Sequence, residues 1–260
     1  MRLYINYIRM NIRSQMQYRA SFFMVVIGQL MQPVLSFISV LFLVMKFGEL
    51  GGWSTEEMGF CYGSITMSYA LAGAIFRGFD RLPWKVRSGT FDRILVRPRG
   101  TVLQVLGSEF ELNRIGKLIS AVAIYVWATV NLELLWSLDR ILVVIGMLVA
   151  GICVFSGFFI IYAVFSFWTI EGMELMNIIV HGTKELARVP LNVYDSGFIR
   201  FFIFVVPLGS ANFLPLMYIT GRVTENAWLY AWSPILGLLF IIPCMLLWQF
   251  GVRHYKSTGS

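Results

Sequence analysis

Long apolar runs alternate along the chain with short polar segments. Six of the runs are close to the ~20 residues that a helix needs to cross the hydrocarbon of a bilayer. They occupy residues 21–46, 57–79, 115–136, 141–169, 198–219 and 228–250. The gaps between them are too short to hold a soluble domain. The pattern therefore predicts a single all-α integral membrane domain over residues 1–260, with six transmembrane helices.

Residues 1–20 have an amphipathic pattern instead of an apolar one. The apolar stripe consists of Ile5, Ile8, Ile12 and Met16. Arg9 and Arg13 lie beside this stripe, where they can meet lipid headgroups or a partner protein. An apolar stripe bordered by arginines is typical of a helix that lies in the membrane interface. We expect an N-terminal interfacial helix that orients the first span.

The composition agrees with a membrane protein and excludes several other classes. Hydrophobic residues make up 58% of the chain, more than a soluble domain of this length can keep away from water. The net charge of +7 therefore does not indicate a nucleic-acid partner, because Lys and Arg in such a chain usually mark cytoplasmic loops. Cys61, Cys153 and Cys244 all lie in apolar runs, so neither disulfides nor metal ligands are expected.

The distribution of basic residues predicts the orientation of the six spans. With the N-terminus in the cytoplasm, nearly all of the 21 Lys and Arg residues fall on the inner side. The exceptions are Lys46, Arg140 and Arg222. Such a bias places both termini in the cytoplasm.

Basic residues are concentrated in the loop 80–112 and just before it. They are Arg77, Arg81, Lys85, Arg87, Arg93, Arg97 and Arg99. Each costs roughly 2.5–3.5 kcal/mol at the middle of a membrane, so together they would cost on the order of 20 kcal/mol. This loop is therefore predicted to lie in water, on the cytoplasmic side.

A short two-faced helix is predicted over residues 91–97 of this loop. Ser88 or Thr90 can cap it, and Asp92 suits the positive end of its dipole. Phe91, Ile94 and Leu95 share one face, Arg93 and Arg97 share the other, and Pro98 ends the helix. The apolar face can hold the ends of the spans, and the other face offers guanidinium groups to a partner. A solvated loop beside anionic lipid is the simpler alternative.

Residues 170–188 form a second polar stripe. Glu171, Glu174 and His181 fall on one side of a helical projection and could line a water-filled path. An amphipathic helix at the cytoplasmic interface, with Glu–Lys pairs three or four residues apart, is the alternative. No second His or Cys stands at ligand spacing from His181, so no metal site is expected.

Three prolines lie in the fifth predicted span or shortly before it. Pro190 precedes it, and Pro207 and Pro215 lie inside it. A proline within a span frees a carbonyl group and bends the helix, which is tolerable where protein or water satisfies the backbone. A passively kinked span is consistent with this pattern.

Two stretches resemble type-2 ABC (ATP-binding-cassette) export permeases. The first, "SGTFDRILVRPRGTVLQVLGSEF" at 88–110, is similar to the segment after the second span, where G-x-[FL]-D-x-[LI]-L-x-[RK]-P recurs. The second, "RVPLNVYDSGFIRFFIFVVPLGSANFLPLMYITGR" at 188–222, is similar to the last third of that family. With the six-span topology, the resemblance covers nearly the whole chain. It is closest to the bacterial permeases that pair with a second permease and a separate ATPase. In the region of the three prolines, the resemblance implies a partly broken, re-entrant outer portion instead of a passively kinked span.

The resemblance implies a role for the cytoplasmic loop 80–112. Its segment 88–99 corresponds to the coupling helix that such permeases seat in a groove of the ATPase. The residues implied to couple are Thr90, Phe91, Asp92, Arg93, Ile94, Leu95, Arg97 and Pro98. The implied partners are an ABC ATPase dimer, a second six-span permease (identical or homologous) and the lipid bilayer of the bacterial inner membrane. The implied cargo is an amphipathic drug-like molecule, a peptide or a lipid.

The chain itself is not expected to be an enzyme. No G-x-x-x-x-G-K-[ST] sequence occurs in it, so ATP and Mg would be bound by the partner ATPase. A secondary transporter or channel is one alternative, but it would need ionisable groups deep in several spans and usually an inverted repeat. A membrane-embedded lipid-handling enzyme is another, and it would need a convergent set of catalytic side chains.

Overall fold

The structure is a computed structural model that describes residues 2–47, 51–132, 134, 136–169 and 173–257, and all regular elements within them are helical. Its α-helices are α1 (Arg2–Gln15), α2 (Arg19–Phe47), α3 (Thr55–Ile75), α4 (Arg77–Asp80), α5 (Leu82–Arg87), α6 (Asp92–Leu95), α7 (Thr101–Ser108), α8 (Ile115–Asn131), α9 (Leu138–Phe165), α10 (Met173–Leu186), α11 (Ser196–Phe204), α12 (Leu214–Ile219), α13 (Ala227–Trp232), α14 (Pro234–Leu239) and α15 (Ile241–His254). Short 3₁₀ turns lie at Met16–Tyr18, Leu112–Arg114 and Leu191–Val193, and a π-helical turn lies at Gly209–Phe213. The prediction of an all-α chain is confirmed for the described residues.

Three continuous helical stretches in the described residues are long and apolar enough to cross a membrane. They are Tyr4–Lys46, Leu138–Phe165 and Ala227–His254. A fourth candidate is the pair Ser196–Phe204 and Gly209–Ile219, whose two parts meet at 90°. These helices make the chain a multi-pass membrane protein. The first stretch joins α1 to α2 through one 3₁₀ turn, so the amphipathic start runs directly into the first apolar helix.

Helix α3 is less apolar than these helices because protein surrounds it. It packs against α8 and α9, and most of its side chains are buried. Ser54 and Glu57 form a capping box at its start, which satisfies two backbone donors that would otherwise lack partners. A helix enclosed in this way does not need the uniformly apolar surface of a lipid-facing helix. Helix α8 is apolar but has only 17 residues, fewer than the length that marks a spanning helix by itself.

Glycines allow α3 and α8 to approach closely. A Cβ atom added at Gly63 would lie 2.8 Å from the Cβ of Tyr125 and 3.0 Å from its Cα. Helices in membrane proteins commonly meet through small residues in this manner, because close contact replaces the hydrophobic driving force that lipid removes. Gly28 in α2 differs, because a Cβ atom there meets nothing within 4 Å.

We expect Gly63→Ala to destabilise the purified protein by about 1–3 kcal/mol, since the backbone of α8 must move to admit the methyl group. Thermal unfolding in detergent measures the effect. Gly28→Ala is the matched control, and we expect no loss there because an alanine in open helix surface is tolerated and lowers the entropy of the unfolded chain. Equal behaviour of the two variants would contradict close packing of α3 on α8.

The helix bundle has two ends, and contacts assign most segments to one of them. The end where α3 finishes contains the predicted coupling segment, and we call it the coupling end. There, the ring of Phe91 lies 5.2 Å from that of Phe167 and 5.0 Å from that of Tyr255. The N-terminal helix reaches the same end, where Gln15 Nε2 donates to the carbonyl of Phe110 at 2.5 Å. The opposite end, where α3 begins at Thr55, we call the far end.

The segment 191–222 lies at the far end. Asn192 accepts a hydrogen bond of 2.5 Å from Trp53 Nε1 and donates one of 3.2 Å to the carbonyl of Gly51. The guanidinium of Arg222 donates to both carboxylate oxygens of Glu57, at 2.8 and 2.5 Å. Both termini of the bent pair are thus anchored where α3 begins.

The structure therefore replaces the single fifth span predicted over 198–219 by a bent pair. In the π-helical turn after the bend, Asn212 accepts from Ser64 Oγ at 2.6 Å, nearly halfway along α3. The pair enters the bundle and returns towards the far end, and its 90° bend fits a re-entrant helix. Pro207 lies at the bend, Pro215 lies in the first turn of α12, and Pro190 precedes the 3₁₀ turn. Pro207 precedes the helical stretch Gly209–Ile219 and costs it no hydrogen bond, whereas Pro215 lies inside that stretch, just after the π-helical turn.

Helix α10, not the 198–219 region, connects the two ends of the bundle after α9. His181 Nδ1 lies 3.3 Å from the hydroxyl of Tyr69, near the end of α3. Further along, the carbonyl of Ala187 accepts from Cys61 Sγ at 3.6 Å, nearer the start of α3. The chain thus runs from the coupling end to the far end before it reaches Asn192. The described part of 170–188 therefore packs along α3.

Candidate functional site

The coupling segment forms a shorter helix than the predicted 91–97. Helix α6 spans only Asp92–Leu95, a single turn, and no side chain caps its start. The expected caps are wrong: Ser88 Oγ and Thr90 Oγ1 both donate to the carbonyl of Lys85, at 3.3 and 3.2 Å. They stabilise the preceding turn, in which Gly89 takes a φ of +67°, a left-handed conformation that glycine adopts without steric cost. Asp92 accepts from Ser257 Oγ at 2.6 Å, which ties the segment to the C-terminal tail.

One side chain anchors this segment to the bundle. Phe91 is fully buried, and its ring contacts those of Phe167, Trp248 and Tyr255. Phe167 follows the end of α9, Trp248 lies within α15 and Tyr255 follows its end, so Phe91 fixes the segment to both helices. Its burial agrees with the prediction that the apolar face of this segment packs against the ends of the spans.

The other two residues of the predicted apolar face, Ile94 and Leu95, behave differently from each other. Ile94 is half-buried, whereas 37% of Leu95 is exposed and lies outside the contact. The end of α6 is instead held by the buried Gln104, whose Nε2 donates to the carbonyls of Ile94 and Arg99, at 3.1 and 2.8 Å. A buried amide that satisfies two free carbonyls rigidifies the loop end.

The exposed residues between 93 and 99 form the tip of the loop, and we call them the coupling tip. The half-buried Ile94 is not one of them. The members of the coupling tip are Arg93, Leu95, Val96, Arg97, Pro98 and Arg99. Val96 is 83% exposed between the guanidinium groups. Apolar side chains surrounded by arginines are typical of the centre and rim of a protein interface, since arginine is enriched there.

Helix α1 borders the coupling tip. Asn11 Nδ2 donates to the carbonyl of Gly107 at 3.2 Å, which holds α1 against α7. A cavity of about 360 Å³ lies between α1 and α6, with Tyr7, Met10, Ile94 and Arg97 among its lining residues. The amphipathic N-terminal helix and the coupling segment therefore form one continuous surface at the coupling end.

Two of the three predicted pathway residues lie in the described part of the chain. Glu171 lies outside the described residues. Glu174 and His181 are exposed on α10, and His181 meets the hydroxyl of Tyr69. The buried face of α10 carries Lys184 instead, so the polar stripe is divided between a covered and an open face.

A cluster of basic side chains, which the sequence analysis did not single out, lies between α3, α8 and α10. We define the cation cluster as Arg114, Lys117, Lys184 and Arg188. Lys184 Nζ lies 4.8 Å from the centre of the Tyr69 ring, and the guanidinium carbon of Arg188 lies 4.9 Å from that of Tyr62. Cations over aromatic faces are attracted by the ring quadrupole. The sequence did contain one indication of this cluster, because Lys117 lies only two residues inside the apolar helix α8.

Arg114 stays charged in this setting. Burial by itself would lower the pKa of its guanidinium, but the nearby Glu111 carboxylate and Tyr69 hydroxyl more than offset this, so the pKa is raised above its ordinary value. The Nε of Arg114 donates to Glu111 Oε2 at 2.8 Å. Gly73 leaves room for this side chain, since a Cβ atom there would lie 2.3 Å from an Arg114 nitrogen.

The described residues hold no group of three or more His, Cys, Asp or Glu side chains arranged to bind a metal ion. Cys61, Cys153 and Cys244 form no disulfide.

The fold and this surface define a multi-pass, all-helical membrane protein with a water-exposed basic tip at one end. The family model described as "ABC-2 family transporter protein" matches residues 30–259. The chain therefore belongs to the ABC-2 transporter family and is an ABC transporter permease. No curated protein and no solved structure matches the chain.

Proposed function

We propose that the chain is the permease subunit of an ATP-driven exporter and is coupled through α6 to a separate ABC ATPase. The observation that carries this proposal is the coupling tip, which is exposed to water while Phe91 clamps it to α9 and α15. ABC-2 permeases normally work with an ABC ATPase, which would bind ATP and Mg. In this proposal Thr90 and Asp92 hold the turn, Phe91 and Ile94 face the bundle, and the coupling tip enters the ATPase groove.

The proposed topology has six crossings with both termini in the cytoplasm. Five of the crossings are α2, α3, α8, α9 and the α13–α15 stretch. The sixth is α10 together with the turn that follows it. The coupling end is the cytoplasmic end, and the bent pair is re-entrant from the outer side. A segment carrying Lys184 and Arg188 is costly in lipid, so this crossing must be shielded by protein, as its contacts with Tyr62 and Tyr69 indicate.

The motion implied is a displacement of span ends by the ATPase. A buried aromatic contact transmits force because packed cores have few alternative arrangements. Pushing α6 therefore displaces the ends of α9 and α15 through Phe91. A second permease, identical or homologous, would complete the path in the bacterial inner membrane, and outward opening of the pair would release an amphipathic cargo.

Purification of the tagged chain from its native membranes, in a mild detergent, tests the proposal. We expect a nucleotide-hydrolysing subunit to co-purify in a fixed ratio, and a vesicle containing both to accumulate cargo only with ATP. Transport by the purified chain alone would instead establish a secondary transporter or channel, and the proposal would be wrong.

A further inference from the structure

The cation cluster carries more positive charge than its neighbours neutralise. The Glu111 carboxylate that pairs with Arg114 also pairs with Arg77, at 3.2 Å from its Nε. Lys184 and Arg188 share the single carboxylate of Glu185. Lys117 forms no ion pair with any carboxylate of the described residues. Excess charge shielded from water is costly, so an anion is expected to balance it.

Two buried hydrogen-bond donors of the cluster have no partner in the described structure. They are one terminal nitrogen of Arg114 and the Nε of Arg188. The side chains of Arg114 and Arg188 are only 9% and 5% exposed, so water does not satisfy these donors freely. An unsatisfied buried donor is destabilising, and more so when the group is charged. The site is therefore short of acceptor oxygens, which a phosphate supplies.

The cluster reaches the surface beside α10, whose exposed side chains include apolar ones. Lys117 is partly exposed, and the Glu185 side chain is 51% exposed at the rim. Ile178 and Ile179, one to two turns earlier on α10, are 64% and 50% exposed. Cations beside uncovered isoleucines match a ligand with an anionic head and an apolar tail.

We propose that the cation cluster binds the phosphate group of an anionic amphiphile within the translocation path. Lys117, Lys184 and Arg188 hold the phosphate, and Ile178 and Ile179 contact the tail. Glu185 is the internal counter-ion of the empty site, and the arriving phosphate displaces it from Lys184 and Arg188. The location of this site on a translocation path rests on the proposed function, whereas its ability to bind a phosphate does not.

Binding to the purified full chain tests this site without any ATPase. Native mass spectrometry or lipid titration compares phosphatidylglycerol with phosphatidylcholine of the same acyl chains. We expect phosphatidylglycerol to bind about tenfold more tightly, since its head group has a net negative charge whereas that of phosphatidylcholine is zwitterionic. Equal binding of the two lipids would overturn the proposal.

Two substitutions separate binding from folding. Lys117→Gln is expected to weaken phosphatidylglycerol binding about tenfold and leave phosphatidylcholine unchanged, whereas Lys117→Arg keeps the affinity. Lys256→Gln, which removes one positive charge from the exposed tail, is the matched control and is expected to have no effect. An identical response of Lys117→Gln and Lys256→Gln would contradict the site.

Glu185→Gln is expected to change phosphatidylglycerol binding in the direction opposite to Lys117→Gln. Removing the internal counter-ion frees Lys184 and Arg188, so we expect phosphatidylglycerol to bind a few-fold more tightly than in the native protein. Weaker binding in this variant, with unchanged thermal stability, would show that Glu185 does not compete with the ligand and would overturn the proposal.

Inorganic phosphate identifies the source of the anion. If it competes with phosphatidylglycerol, the site recognises the phosphate group alone and a water-soluble phosphate ester can occupy it. If it does not compete, the tail contributes and the ligand is a lipid. Both results support recognition of phosphate by the cluster. Because no ATP is involved, failure of these measurements leaves the docking of an ATPase untouched, and the reverse also holds.

Discussion

Simultaneous replacement of Arg93 and Arg97 by Glu is expected to abolish retention of the ATPase. Both side chains belong to the exposed coupling tip, and neither contributes to the packing that holds α6. Charge reversal turns attraction into repulsion at a desolvated contact, where losing one partner of a charge pair already costs about 2–5 kcal/mol. We therefore expect the affinity to fall at least ~100-fold, which corresponds to about 2.8 kcal/mol at 1.4 kcal/mol per tenfold. Co-purification and titration with the isolated ATPase measure this loss.

Two matched variants make this result specific. Replacing Arg93 and Arg97 by Lys keeps the charge, so most of the affinity should remain, reduced only by the loss of the forked guanidinium geometry. Arg200→Glu reverses a charge on the exposed surface of α11, towards the far end, and should not change retention. If the double Glu variant retained the ATPase as well as native protein, the coupling tip would not be the docking surface.

Replacement of Phe91 by Ala is expected to uncouple the protein rather than undock it. The ring is 0% exposed, and it bridges the coupling segment to α9 and α15 through three aromatic contacts. Deleting a buried phenylalanine ring costs about 3–5 kcal/mol through lost burial and the cavity that remains. The variant should melt at a lower temperature and hydrolyse ATP with its partner, but it should transport little cargo.

Val96→Ala is the natural counterpart, because Val96 is 83% exposed in the same segment. This variant should keep the native melting temperature and lose part of the ATPase affinity, the opposite of Phe91→Ala. Phe91→Leu, which fills most of the space, should lie between native protein and Phe91→Ala in both stability and transport. Unchanged melting of Phe91→Ala would contradict its role as the anchor.

Local patterns in the sequence were sufficient to locate several elements. The spans predicted at 21–46 and 141–169 correspond to α2 and α9, and the stretch at 228–250 corresponds to α13–α15. The exposure of residues 95–99 was also predicted, since the seven basic residues in and just before the loop 80–112 are costly in lipid. Hydropathy and charge report directly on transfer from water to hydrocarbon, so one-dimensional patterns carry this information.

The same patterns failed where protein replaces lipid as the surrounding medium. The apolar region 198–219 has the composition of a span, yet it bends by 90° and returns to the far end. Helix α10 has the composition of an interfacial helix, yet it runs between the two ends of the bundle beside α3. Lys184 and Arg188 therefore lie against aromatic rings of α3. A buried crossing can carry charge because aromatic rings and carboxylates stabilise it.

The amino-acid sequence by itself determined that this protein is an all-helical permease with a basic, water-exposed segment near residues 88–99. Hydropathy, charge and short family motifs all act at close range along the chain, so they do not require knowledge of the fold. Only the tertiary structure decided that α10 rather than 198–219 connects the two ends, and that Arg114, Lys117, Lys184 and Arg188 come together. These residues lie up to 74 positions apart in the sequence, and their proximity depends on how α3, α8 and α10 pack.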